Sequence, residues 1–246
     1  MNEIKKLFNK IIDVVFPPDI TCIMCGNEVN NSEFCLCDDC EGSLQRCEKV
    51  CEVCGTPVRS EAHFCVVCSE NKRLFDYARA PLVYKDNVIR AVHNFKYNGN
   101  KYLARPFAKI MLSSYNELKS LVGGFDLIVP IPLHKTKLKK RGFNQAELLA
   151  KEVSLLTDVP MENVAIRVKD TSTQTDLSKS ERKLNLENAF DLLDKSKVKN
   201  KNVLIIDDIL TTGATTESLA EILRKAKAKN ICVLTFARTD IEEKMN

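Results

Sequence analysis

Tryptophan is absent from the 246 residues, glycine occurs only eight times, and the net charge is a modest +4. No run approaches the roughly 18 consecutive apolar residues that a membrane helix needs, so a membrane span is excluded. The mildly basic balance permits an anionic ligand without demanding nucleic acid. There is no low-complexity tract and no repeat beyond paired cysteines. The N-terminus lacks the unbroken apolar core of a secretory signal, because Glu3, Lys5, Lys6, Lys10 and Asp13 interrupt it. A cytoplasmic location is therefore expected, and a reducing compartment gives no support to a disulfide framework. The 11 cysteines are also odd in number, and ten of them fall between Cys22 and Cys68.

Three regions follow from composition. Residues 1–18 place Ile4, Leu7, Phe8, Ile11, Ile12 and Val15 at helical spacing and stop at Pro17-Pro18, which predicts an amphipathic N-terminal helix. Residues 19–74 are rich in cysteine and poor in apolar runs, too poor to bury a core without a staple. Residues 75–246 alternate strand-like and helix-like runs. Strands are expected at Ala78–Tyr84, Leu127–Ile131, Val203–Ile206 and Ile231–Phe236. Helices are expected at Asn87–Tyr97, Tyr102–Leu121, Phe143–Leu156 and Glu217–Ala228. That alternation implies an α/β domain with a mostly parallel sheet and helices on both faces.

The cysteines form four pairs: Cys22/Cys25, Cys37/Cys40, Cys51/Cys54 and Cys65/Cys68, each C-x-x-C. Such a knuckle sets two thiolates at the distance a tetrahedral Zn²⁺ requires, and two knuckles complete four ligands. Two structural Zn²⁺ sites are expected. Gly26 and Gly55 follow the second cysteine of two knuckles, where a tight turn aims backbone N–H groups at sulfur. Sequential pairing gives 22/25/37/40 and 51/54/65/68; spacing alone leaves interleaved pairing open, and leaves Cys35 open as a substitute for Cys37. Cys232, in the last expected strand, reads as a small buried apolar residue.

A second constellation runs from Val203 to Thr216, VLIIDDILTTGATT. A buried strand leads into Asp207 and Asp208, then a hydroxyl-rich turn with one glycine, then a helix. Successive N–H groups in such a turn make an anion nest, and the helix N-terminus adds donors. Thr211, Thr212, Thr215 and Thr216 add hydroxyls, with Gly213 and Ala214 in the turn itself. Carboxylates beside a phosphate would repel it, so Asp207 and Asp208 are expected to address sugar hydroxyls, directly or through Mg²⁺. The G-K-[ST] ending of a Walker loop and the G-x-G-x-x-G of dinucleotide sites are both missing.

VLIIDDILTTGAT resembles the phosphoribosyl pyrophosphate (PRPP) signature of type I phosphoribosyltransferases. The upstream cysteine pairs are similar to the double zinc ribbon of the ComF family of competence proteins. Val129-Pro-Ile-Pro-Leu133 with Arg141-Gly-Phe-Asn-Gln145, the run from Arg167 to Phe190, and Phe95-Lys96-Tyr97-Asn98-Gly99 resemble further stretches of that family. The resemblance extends from Cys22 to Arg238. It implies a double zinc ribbon over 19–74, a phosphoribosyltransferase-like domain over 75–246, and a role in natural transformation. Expected partners are PRPP, single-stranded DNA and other competence or DNA-processing proteins.

Within that frame, Asp207, Asp208, Thr211, Thr212, Gly213, Ala214, Thr215, Arg141 and Lys96 are the expected PRPP-binding residues. Asp207 and Asp208 are also the expected catalytic ones. Residues 135–141 carry five cations in seven positions between an expected strand and an expected helix; the resemblance implies a pyrophosphate-holding loop there, and a planar guanidinium makes Arg141 the choice for the direct contact. The polar stretch 168–183 reads as a loop, and the resemblance makes it a lid, with Asn185 and Phe190 anchoring its far end. The chemistry implied is displacement of pyrophosphate at the ribose C1 carbon by a nitrogen nucleophile. No acceptor pocket is legible. Two readings therefore stand side by side: a phosphoribosyltransferase, and a PRPP-binding or nucleic-acid-handling module. Few aromatic residues accompany the cysteines and the basic run, Phe34, Phe64 and Phe143 apart, which argues against base stacking.

Overall fold

The computed structural model describes residues 21–29, 32–58, 62–97, 99–169 and 189–240. The expected helix over 1–18, most of the expected lid over 168–183, and Asn185 lie outside the described residues.

Strands β1 (Tyr77–Arg79), β2 (Leu82–Val83), β3 (Leu127–Pro130), β6 (Asn202–Leu210) and β7 (Asn230–Arg238) form one parallel sheet. Its order is β1-β7-β6-β3, with β2 also paired to β7. Tyr77 opposes Cys232 and Leu82 opposes Ala237, so β1 and β2 are one edge strand interrupted at Ala80-Pro81. A proline there is tolerated because an edge strand has an unpaired side. β4 (Ala165–Arg167) and β5 (Phe190–Leu192) make a small antiparallel pair that alternation did not announce.

The central strands are apolar over 203–206 and 231–234 because both faces are covered there. Helices α1 (Asp38–Ser43) and α2 (Val66–Glu70) lie in the cysteine-rich region. On one face of the sheet Ile128, Leu204, Ile206, Cys232, Leu234 and Phe236 pack against α3 (Asp86–Tyr97), α4 (Ala104–Val122) and α6 (Gln145–Thr157). On the other, Val129, Val203, Ile205, Ile231 and Val233 pack against α7 (Ala214–Lys225). Phe107 stacks on Phe236 with ring centres 3.8 Å apart. α4 stops at Gly123, whose φ of 79° supplies the left-handed cap.

Three local expectations are corrected. The strand through Val203 does not end before the acidic pair; it continues through Asp207 and Asp208 to Leu210, with Asp207 opposite Thr235. α7 starts at Ala214, three residues early, because Gly213 at φ 86° turns the chain and its carbonyl accepts from Glu217 N at 2.8 Å. The basic run is a helix, α5 (Lys135–Arg141), rather than a loop. His134 caps it and Gly142 ends it in the left-handed region.

The cysteine-rich region packs onto both sheet faces. Ile23, Met24 and Leu36 join the α3/α4 side, while Val58 and the second set of cysteines join the α7 side. It also covers the free edge: Ala78 N donates to Val53 O at 2.7 Å and Val83 N to Gln45 O at 2.8 Å. The opposite edge is covered by the chain after α6, since Ile128 N donates to Pro160 O at 2.8 Å. Pairing both edges removes the template that an open sheet offers to another chain. Among the described residues no helix is long and apolar enough to cross a membrane.

Candidate functional site

Adjacent strands β3 and β6 leave the sheet toward opposite faces. After β3 the chain runs through α5 into α6 on one face, and after β6 it runs into α7 on the other. Such a switch point opens a crevice beyond the carboxyl ends of the strands, the usual ligand position in an open α/β sheet. An open cleft of about 140 Å³ lies there, lined among others by Lys96, Lys137, Arg141, Asp207, Asp208 and Thr215.

The acidic pair is differentiated by its neighbours. Asp208 is buried and pairs with Lys96 Nζ at 3.1 Å. Burial opposes the charge on Lys96, but Asp208 and then Asp207 outweigh it and hold its pKa up. Asp207 accepts from Asp208 N at 2.9 Å. Burial first, and the Asp208 carboxylate second, push its own carboxyl up to about 7. Lys96 and Arg167 pull the other way without prevailing.

Beyond the acids the chain turns through Thr211, Thr212 and Gly213 into α7. Thr216 Oγ1 donates to Gly213 O at 2.7 Å, and Ala214 N to Thr212 Oγ1 at 3.4 Å. The first N–H groups of a 12-residue helix have no carbonyl behind them, so the turn and the helix start offer donors together.

Arg141 is held rather than loose. It donates to Gln145 Oε1 at 3.1 Å and to Tyr97 Oη at 3.2 Å, and its guanidinium lies 5.0 Å from the Tyr97 ring centre. Gln145 is buried and donates to Lys96 O at 3.3 Å, tying α3 to the start of α6. Asn144 caps α6 through Ala146 N and donates to Ile131 O at 3.0 Å. Asn144, Gln145 and Arg167 thus border the cleft although site reasoning passed over them. The signal was present, since all three stand in stretches with family resemblance.

The eight paired cysteines gather as two sets, Cys22/Cys25/Cys37/Cys40 and Cys51/Cys54/Cys65/Cys68, with all sulfurs of a set within 4.8 Å of one another. The pairing is sequential. Cys35 is buried outside the first set, at φ 55°, and Cys37 Sγ stands 3.7 Å from Cys25 Sγ. Four convergent thiols in a tetrad can hold a metal ion, and the donor set suits zinc. Cys232 is fully buried, and burial pushes its thiol up to about 12; it is inert packing.

The sequence profile described as "Double zinc ribbon domain" matches residues 11–69, and the one described as "Phosphoribosyl transferase domain" matches residues 123–246. The competence protein ComFC of Bacillus subtilis is 31% identical over 211 residues, covering 83% of this chain and 84% of its own. The chain belongs to the ComF family. Competence protein F of Haemophilus influenzae is 29% identical, over 88% of this chain and 96% of that protein. The Escherichia coli DNA utilization protein YhgH is 26% identical, over 89% and 96%. Among solved structures, adenine phosphoribosyltransferase from Saccharomyces cerevisiae is 17% identical with a TM-score of 0.34, over 52% of this chain and 69% of that one. The ComF pattern of paired cysteines followed by a phosphoribosyltransferase domain is thus laid out here as two tetrads against one parallel sheet.

Proposed function

We propose that this ComF-family chain binds PRPP with Mg²⁺ in the cleft and acts in DNA uptake, with a transferase-like site. One observation carries the reading: Asp207, Asp208, Thr215, Lys96 and Arg141 line one cleft at the switch point of the sheet, with the Thr211–Gly213 turn joining the acids to Thr215. The turn and the α7 N-terminus would take the 5′-phosphate. Asp207 and Asp208 would face the ribose hydroxyls and, when Mg²⁺ is bound, its charge would neutralise the leaving pyrophosphate. Arg141, already aimed by Gln145 and Tyr97, would hold pyrophosphate oxygens with a planar fork. Positive charge that builds on the sugar as the C1–O bond breaks would be met by the acidic pair. Zinc would fill both cysteine tetrads as a structural ion. The exposed lysines of α5, Lys135, Lys139 and Lys140, would steer anions, single-stranded DNA included. The names of the relatives, competence and DNA utilization proteins, support a role with DNA; a cytoplasmic place beside DNA-processing proteins is part of this proposal.

The test is calorimetric titration with PRPP, with and without Mg²⁺. Asp208→Asn and Asp207→Asn should each weaken binding by about 1.5–3 kcal/mol, the worth of hydrogen bonds to charged groups. Tighter binding by both would leave only a generic anion nest. Release of pyrophosphate with a panel of nitrogen nucleophiles, lost in Asp208→Asn, distinguishes the enzyme from the binding module.

The raised pKa of Asp207 has a definite sign. Between the ordinary 3.8 and about 7 the folded chain holds this proton more tightly than the unfolded one. Stability therefore falls as pH rises through that window, and the full cost is present above it. Asp207→Asn should raise the melting temperature at pH 8 and leave it unchanged at pH 4. PRPP affinity of the wild type should drop as pH falls below 7, since the ribose contact needs the carboxylate.

A further inference from the structure

The chain joining the second cysteine tetrad to β1 is docked along its length. Arg224 Nη2 donates to Leu74 O at 3.3 Å and to the Asp76 carboxylate at 2.9 Å, and Asp76 also accepts from Ile231 N at 2.7 Å. Leu74 N donates to Glu217 Oε2 at 2.9 Å. At the head of this segment stands Arg73, whose side chain is only 10% exposed. Its Nη1 donates to Glu217 Oε1 at 3.3 Å and to the carbonyl of Thr212 at 3.4 Å. A Cβ placed on Gly213 would lie 3.5 Å from that same nitrogen. The guanidinium also sits 5.8 Å from the Phe75 ring centre.

Arg73 therefore stands directly behind the turn that the anion would occupy. In a nest the amides and carbonyls of successive residues point to opposite sides. A donor that holds the Thr212 carbonyl and the first-turn Glu217 from behind fixes the shape of the whole turn. On its other side Arg73 is tied to the tetrad by the chain itself. It follows Cys68, the last cysteine of the second set, within the same short segment, and Asn71 N between them donates to Val67 O at 3.0 Å. Structural metal binding is folding free energy for such a module, so filling the tetrad fixes the start of this docked segment.

We infer that Arg73 is a positioning residue that couples the Cys51/Cys54/Cys65/Cys68 centre to the phosphate turn, so that filling the metal site sets the shape of the anion site. The identity of the anion rests on the PRPP reading, but the coupling does not. Linkage makes the effect reciprocal: whatever occupies the turn also steadies the metal.

The test uses the full zinc-loaded chain and two variants. Arg73→Gln removes the cation, and Glu217→Gln cuts the link on the turn side while leaving the tetrad untouched. Amide hydrogen exchange over Thr211–Thr215 should quicken about tenfold in each variant, within the usual range of coupling between sites, with two zinc ions still bound. In the wild type, PRPP with Mg²⁺ should slow capture of zinc from the second tetrad by a chromogenic chelator by about fivefold or more. The slowing should vanish in both variants. A merely structural arginine would change the melting temperature without moving either of these readouts. Wild-type exchange rates in both variants, or slowing that persists in them, would overturn the coupling. Quickened exchange in a protein that binds no PRPP would keep the coupling and refute the ligand reading. If Arg73→Gln does not fold, Glu217→Gln alone decides.

Discussion

The two cysteine tetrads share a spacing plan but are attached to the molecule by different means. The first lies on the α3/α4 side and is held chiefly by apolar packing of Ile23, Met24 and Leu36. Among the described residues its polar ties to the helices are Asn87 Nδ2, 3.7 Å from Cys40 Sγ, and Lys109, which donates to Glu33 O at 3.1 Å. The second is wired into the sheet. Arg238, at the end of β7 and 1% exposed, donates to Cys54 O, to Thr56 Oγ1 and, at 3.4 Å, to Cys54 Sγ. Arg79 donates to Glu52 O at 3.0 Å and pairs with Glu117. Four thiolates around Zn²⁺ carry a net charge of −2, which buried arginines offset and an amide does not. The comparison teaches that one ribbon is an appendage to the core and the other is a part of it.

The sharpest way to break this comparison is to remove one ligand from each tetrad. Structural zinc in such sites is worth about 10–16 kcal/mol of apparent binding free energy, which is folding free energy. Cys54→Ser should therefore take the whole chain down, because the buried Arg238 loses its anionic partner along with the metal. Cys25→Ser should cost one zinc and the order around the first tetrad, while the sheet keeps a cooperative transition. Elemental analysis with calorimetry reads both. Equal collapse in the two variants would show that the ribbons are equivalent.

Arg238 itself comes next. Arg238→Met keeps the volume but leaves the Cys54 carbonyl, the Thr56 hydroxyl and the sulfur without their donor. Breaking a buried charged contact on one side costs about 3–5 kcal/mol, so a large fall in urea midpoint is expected, with faster release of zinc from the second tetrad only. Unchanged zinc release would confine Arg238 to packing.

This asymmetry also marks what could be seen in the sequence. The knuckles, the two sheet faces and the acidic turn were legible, because each is a local pattern: a fixed spacing, an apolar run, a strand followed by hydroxyls. The eight paired cysteines and the pair Asp207 and Asp208 follow from those patterns, whereas Lys96 entered through the family resemblance and Arg141 through the basic run read beside it. The wiring was not legible. Arg238 and Cys54 stand 184 positions apart and Arg73 and Glu217 144, and nothing in an isolated arginine says which distant sulfur or carboxylate it meets. The basic run misled for a different reason. The family resemblance implied a loop there, whereas the cap by His134 and the turn at Gly142 close it into a helix.

The two knuckle glycines offer a matched pair of smaller probes. Both take a left-handed conformation, Gly26 at φ 84° and Gly55 at φ 68°. A Cβ on Gly26 would meet nothing within 4 Å, but one on Gly55 would lie 2.4 Å from the carbonyl oxygen of Ala78. Gly26→Ala should cost about 1–2 kcal/mol, the penalty of the left-handed region alone. Gly55→Ala should add roughly 1–3 kcal/mol of overpacking, because a backbone oxygen cannot step aside. Equal melting shifts would mean that the second knuckle and β1 are not pressed together.

The smallest expected effect tests the weak side of the comparison. Asn87 lies in the first turn of α3, and its amide is the side chain from that helix that reaches a sulfur of the first tetrad. At 3.7 Å from Cys40 Sγ the contact is a long, neutral-donor bond to a thiolate. A neutral hydrogen bond contributes about 0.5–1.5 kcal/mol net, and this one belongs at the low end. Asn87→Ala should shift the urea midpoint barely beyond error and leave two zinc ions per chain. Its readout is instead kinetic: zinc should leave the first tetrad modestly faster, by less than about tenfold, the rate factor that 1.36 kcal/mol buys. The second tetrad should not notice, because Arg238 reaches it from β7 without touching α3. If Asn87→Ala instead lowered stability as far as Arg238→Met, the first ribbon would be wired through polar contacts after all. The apolar packing of Ile23, Met24 and Leu36 would then not be what holds it.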